Sequence, residues 1–125
     1  MEQTTKILCV EDDQDIQLLL QLALGKLGGF EVQMAASGEE ALEQMEDFSP
    51  DLLLLDLMLP GMTGLELFDK VRQQPEYAQL PGLLMTARVA PQIPEEWQQP
   101  GILGVLAKPF DPMTLADEVR KYFDS

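Results

Sequence analysis

The chain has 125 residues, enough to bury one core but short for two domains of ordinary size. Its 22 acidic residues against 8 basic ones give a formal charge of −14, which opposes any surface that tracks nucleic-acid phosphates. With no His, imidazole is excluded as catalytic base, zinc ligand or phosphoryl carrier.

In chain order, residues 1–6 lack the charged and apolar regions of a signal peptide, and no apolar run reaches membrane-spanning length. A cytoplasmic location with no membrane partner is expected. Lys6 to Val10 reads as a strand, and its Cys9, the single cysteine, as a small buried hydrophobe. Asp15 to Leu27 reads as a helix whose Ile16, Leu19, Leu20, Ala23 and Leu27 form the apolar face, stopped by Gly28-Gly29. Phe30 to Ala35 is a second strand. Ser37 with Glu40 three residues on is a capping-box pattern that opens a helix to about Phe48.

Leu52-Leu53-Leu54-Leu55 is apolar at every position, as expected of a central parallel strand covered on both faces, and it runs directly into Asp56. After the turn Pro60-Gly61-Met62-Thr63-Gly64 a helix extends to about Gln73, and Gly82 to Met85 forms the fourth strand. Pro91, Pro94 and Pro100-Gly101 leave room for only a short helix, starting near Pro94 and anchored by Trp97. Leu103 to Ala107 is the last strand. Pro112 to Phe123 is the last helix, with Met113, Leu115, Ala116, Val119 and Phe123 as core candidates. Met58, Met62 and Met85 read as packing residues.

Five such strand–helix units in one chain specify a doubly wound α/β fold with helices on both faces of a parallel sheet. Such sheets bind ligands beyond the carboxyl ends of their strands. The polar residues there are Glu11-Asp12-Asp13, Asp56, Thr86 and Lys108. Taken singly, the acidic run reads as a solvated loop or helix N-cap, Thr86 as a strand-end hydroxyl and Lys108 as a surface charge. Asp56 is harder to dismiss, because a carboxylate following four leucines is poorly solvated and needs a partner. Neighbouring strands lie about 5 Å apart, so acids ending the first and third strands would converge and require a cation or a proton. An all-oxygen set suits Mg²⁺, held by Asp12 and Asp56 with Glu11 assisting. An Asp56 oxygen could then attack a phosphoryl group, with Lys108 neutralising its equatorial oxygens and Thr86 donating a hydrogen bond.

The segments Ile-Leu-Cys-Val-Glu11-Asp12-Asp13, Leu-Leu-Asp56-Leu-Met-Leu-Pro-Gly-Met-Thr-Gly64, Leu-Met-Thr86-Ala-Arg and Ala-Lys108-Pro109-Phe110 resemble the receiver domains of two-component response regulators in order and spacing. The likeness extends over about the whole chain. It implies a flavodoxin-like, five-stranded parallel sheet of order 2-1-3-4-5, one receiver domain over residues 1–125, and no effector domain. It also implies phosphoryl transfer to Asp56 from the phosphohistidine of a sensor histidine kinase or histidine phosphotransfer protein. Mg²⁺ would be held by Asp12, Asp56 and the Met58 backbone carbonyl, with Glu11 acting through water and Asp13 peripheral. Lys108 would contact the phosphoryl group, the Lys108–Pro109 bond would be cis, and Thr86 would be the switch hydroxyl. Such a protein is a phosphoacceptor switch rather than an enzyme, signalling to a downstream protein and binding no nucleic acid directly.

Two departures stand out. Receivers often carry Tyr or Phe three residues before the lysine, where this chain has Val105, and the proline-bracketed segment replaces a regular helix. Met58 and Arg88, two residues beyond Asp56 and Thr86, occupy positions that tune self-dephosphorylation in the family. Met58 offers nothing to orient an attacking water, so a persistent phosphoryl state is expected. The missing aromatic leaves open a pseudo-receiver that docks constitutively without phosphorylation. A small Mg²⁺-dependent phosphohydrolase would need a second acid near Asp56, and Asp56-Leu57-Met58 supplies none.

Overall fold

A computed structural model describes residues 4–87 and 95–123. Five parallel strands, β1 (Lys6–Val10), β2 (Glu31–Ala35), β3 (Leu52–Asp56), β4 (Gly82–Thr86) and β5 (Ile102–Ala107), form one sheet of order β2-β1-β3-β4-β5. The expected order, and with it the doubly wound architecture, is present. β3 is buried at every position, which is why its sequence shows no alternation.

Alternation instead appears in which core each strand residue enters. Leu8, Val10, Leu53, Leu55 and Leu84 face α2 (Gly38–Phe48), α3 (Gly64–Arg72) and Trp97. Ile7, Cys9, Leu52, Leu54, Leu83 and Met85 face α1 (Gln14–Leu20), the π turn that follows it, and α4 (Leu115–Phe123). Residues i and i+2 of a strand share a face, so the two leucine pairs of β3 divide between the two layers.

The first helix departs from its expected course. It begins at Gln14, capped by Asp13, and after Leu20 continues as a π-helical turn over Gln21–Lys26, where the Leu27 amide donates to the Leu22 carbonyl at 2.9 Å. The wider turn advances less per residue than an α-helix and shifts the buried stripe. Leu20, Ala23 and Leu24 are buried, whereas Leu19 and Leu27, expected in the core, are exposed. Met113 is also exposed, because the last helix begins at Leu115 rather than Pro112 and residues 112–114 form a turn. Leu115, Ala116 and Val119 pack as expected, and Phe123 is half-buried against the same core.

Of the proline-bracketed segment, a single 3₁₀ turn at Glu95–Trp97 is described, with Trp97 buried. The expectations for Pro91 and Pro94 lie outside the described residues. At the start of α2 the Ser37 hydroxyl accepts from the Glu40 amide, but Glu40 returns its carboxylate to the Ala36 amide rather than to Ser37. The reciprocal capping box occurs at α3, between Thr63 and Glu66.

Candidate functional site

The sheet places Asp56 and Glu11 at adjacent strand ends. β1 pairs with β3 up to Val10 opposite Leu55, so the next residue along each strand direction, Glu11 and Asp56, leaves the same rung. Both are buried, at 1% and 5% exposure. With exposed Asp12 they bring three carboxylate oxygens within 4.8 Å of one another.

Lys108, just beyond β5, reaches across this group. Its Nζ lies 2.7 Å from Glu11 Oε1 and 3.2 Å from Asp56 Oδ2. Its backbone amide donates to the Thr86 carbonyl at 2.9 Å, which ties the ends of β4 and β5 together beside the acids. Thr86 is itself buried. The Lys108–Pro109 peptide is cis, as the receiver resemblance implied.

The acidic loop is held from several sides. The Asp13 amide donates to Glu11 Oε2 at 3.0 Å, and the Gln17 side-chain amide donates to the Glu11 carbonyl at 2.5 Å. Asp13 itself accepts from the Asp15 and Ile16 amides, so it caps α1 and faces away from the acid cluster's chemistry. Across the site the Met58 amide donates to Asp56 Oδ1 at 3.1 Å, fixing one carboxylate oxygen. The Met58 side chain, expected to pack, is instead 73% exposed, because a bridge between Met58 and Thr63 closes the loop and turns it outward. Met62 is half-buried against the core and Met85 fully buried, as expected.

Gly64 permits the loop to close. A Cβ there would sit 2.5 Å from the Asp56 carbonyl oxygen, so α3 can start against the end of β3 only with glycine at this position. Val105 is half-buried on the face shared with α2 and α3. Arg88 lies outside the described residues.

The electrostatics follow from burial. Burial pushes the Glu11 carboxyl upward, the Lys108 hydrogen bond and the Asp13 amide pull it back, and the Asp56 charge adds to the rise, leaving it above its ordinary value. For Lys108, burial favours the neutral amine, but the hydrogen bonds to Glu11 and Asp56 outweigh it and raise its pKa. Three carboxylates beside one ammonium still leave an excess of negative charge. An all-oxygen donor set with that excess fits a hard divalent cation such as Mg²⁺, with Glu11, Asp12 and Asp56 as the carboxylates available to hold it.

Gln17 and Gly64 are site residues that the sequence expectations do not include. Gly64 lies in the Pro-Gly-Met-Thr-Gly turn, which is the available signal; Gln17 gives none, since a glutamine on a helix is ordinary.

A family model described as the response regulator receiver domain matches residues 7–120. Sporulation initiation phosphotransferase F of Bacillus subtilis is 36% identical over 117 residues, covering 94% of this chain and 92% of that protein. Chemotaxis protein CheY-3 of Vibrio cholerae is 31% identical over 124 residues, covering 99% and 95%. The phosphate regulon transcriptional regulatory protein PhoB of Rhizobium meliloti is 45% identical over 83 residues, but the match spans only 36% of its length. Among solved structures, the chemotaxis response regulator CheY4 of Vibrio cholerae superimposes with a TM-score of 0.87 at 33% identity, covering 96% of this chain and 99% of that one. The chain belongs to the response regulator receiver domain family of two-component signalling.

Proposed function

We propose that Asp56 accepts a phosphoryl group from the phosphohistidine of a sensor kinase or histidine phosphotransfer protein, in a Mg²⁺-dependent reaction, and that the chain signals through protein contacts. The observation that carries this reading is the placement of Asp56: nearly enclosed, one oxygen fixed by the Met58 amide, the other facing Lys108, and two further acids within reach.

The Asp56 oxygen not fixed by Met58 forms the new O–P bond as the P–N bond of the donor breaks and the imidazole leaves. Lys108, released from Asp56 Oδ2, follows the charge onto the phosphoryl oxygens while Glu11 keeps it in place. Thr86 at the end of β4 would donate its hydroxyl hydrogen bond to a phosphoryl oxygen. Glu11, Asp12, Asp56 and the Met58 carbonyl would hold the cation, which when bound neutralises charge on the transferred group. The chain acts as a switch that assists its own phosphorylation rather than as an enzyme on other substrates, and it works in the cytoplasm, where kinase and target would meet it. The exposed Met58 thioether cannot orient water as a base, which supports a long-lived phosphoryl state.

Mass spectrometry after acetyl phosphate treatment, with and without Mg²⁺, tests the proposal. Labelling should require the metal and disappear in Asp56→Asn. Equal labelling of wild type and variant would remove Asp56 as the acceptor.

A further inference from the structure

The stretch from Gln14 to Phe30 carries only two charged residues, Asp15 and Lys26, in a chain of net charge −14. One side of it nevertheless lies on the surface. Leu18 is 66% exposed, and Leu19 and Leu22 are 41% exposed. An electrically neutral surface bearing adjacent exposed leucines is the expected signature of an interaction face.

Asp15, Leu19, Leu22 and Lys26 are spaced by four, three and four residues, and all four are exposed, so they run along one side of α1 and its π turn. The series is complementary to its own reverse. If two such helices lie antiparallel about a two-fold axis midway between Leu19 and Leu22, Asp15 of one copy meets Lys26 of the other, and Leu19 meets Leu22. The ion pair and the leucine contact each occur twice, as an isologous interface requires. Gly25 supplies the remaining element: having no side chain, it opens a groove between Leu18, Leu22 and Val32 that can take the opposing Leu18.

We propose that this face pairs with a second copy of the chain through antiparallel α1 helices. Charge complementarity favours that occupant, because two copies of net charge −14 repel each other overall, whereas on this face the single Asp and the single Lys match across the pair. The remaining repulsion between the two acidic bodies is screened by salt, so pairing strengthens from low to moderate ionic strength.

Sedimentation equilibrium of the intact chain from about 10 µM to about 1 mM tests this over the affinity range of a weak dimer. Asp15→Lys and Lys26→Asp should each weaken association by about tenfold, since each sets two like-charge contacts in the pair, and the double exchange should restore it. Leu22→Gln should abolish it, while circular dichroism shows each variant folded. A chain that stays monomeric throughout, as expected if the face serves an amphipathic helix of a different protein, overturns the proposal. So does a dimer indifferent to Leu22→Gln, or a double exchange no better than either single variant.

Discussion

Lys108 is held more closely by Glu11 than by Asp56, at 2.7 Å against 3.2 Å. The lysine is therefore a structural counter-ion as well as a candidate ligand of the phosphoryl group. Lys108→Met leaves two buried carboxylates without their shared cation and should lower metal-free stability by about 3 kcal/mol. Urea unfolding in chelator and in Mg²⁺ checks this: the loss should shrink when the divalent ion is present, and phosphorylation should remain slow in both conditions.

The raised Glu11 carboxyl makes metal-free stability depend on pH. A folded state that holds a proton more tightly than the unfolded chain gains most at low pH. That contribution is present below the ordinary value of 4.5 and drains away as pH rises through the higher folded value. Comparing Glu11→Gln with wild type in chelator isolates it: the difference should move in favour of the variant as pH climbs from 4.5. Lys108, also raised, acts in the same direction at the alkaline end, contributing below 10.5 and losing its contribution above the raised value. Unfolding midpoints across the two ranges would show both.

Gly64→Ala tests how tightly α3 is set against the acceptor. The added methyl meets the Asp56 carbonyl oxygen at 2.5 Å, so either β3 or the helix start must shift, at a cost of about 1–3 kcal/mol. Acetyl phosphate labelling should fall together with the urea midpoint, because the same displacement moves the Met58 amide that fixes Asp56.

Much of this arrangement was legible in the residues. The unbroken leucines of β3 announced a strand covered on both faces, and polar residues just past four strands announced a shared site. The rest is non-local or depends on helix type. Nothing in Gln14 to Lys26 distinguishes a π turn from an α-helix, so regular helical spacing puts Leu19 and Leu27 on the core face, whereas both are exposed. Met113 followed a helical spacing that the turn at residues 112–114 interrupts. The closer attachment of Lys108 to Glu11 joins residues far apart in the chain, which no local pattern encodes.

Cys9 offers a reporter of this packing. Fully buried, its thiol is pushed far above the usual range and is withheld from reagents. Iodoacetamide should leave the folded chain unmodified and label it at the rate of opening in urea, followed by mass. Rapid labelling in buffer would show that the β1 layer opens without global unfolding.

The rung between Thr86 and Lys108 limits how a signal can leave the site. Because the Lys108 amide donates to the Thr86 carbonyl, the tips of β4 and β5 travel as one hinge leaf, and parting them breaks a backbone hydrogen bond. Rotation of the Thr86 side chain about its Cα–Cβ bond leaves that backbone hydrogen bond intact. Any displacement of one strand tip at this end of the sheet therefore carries the other with it, and the Thr86 and Lys108 backbones form one rigid mount beside the acids.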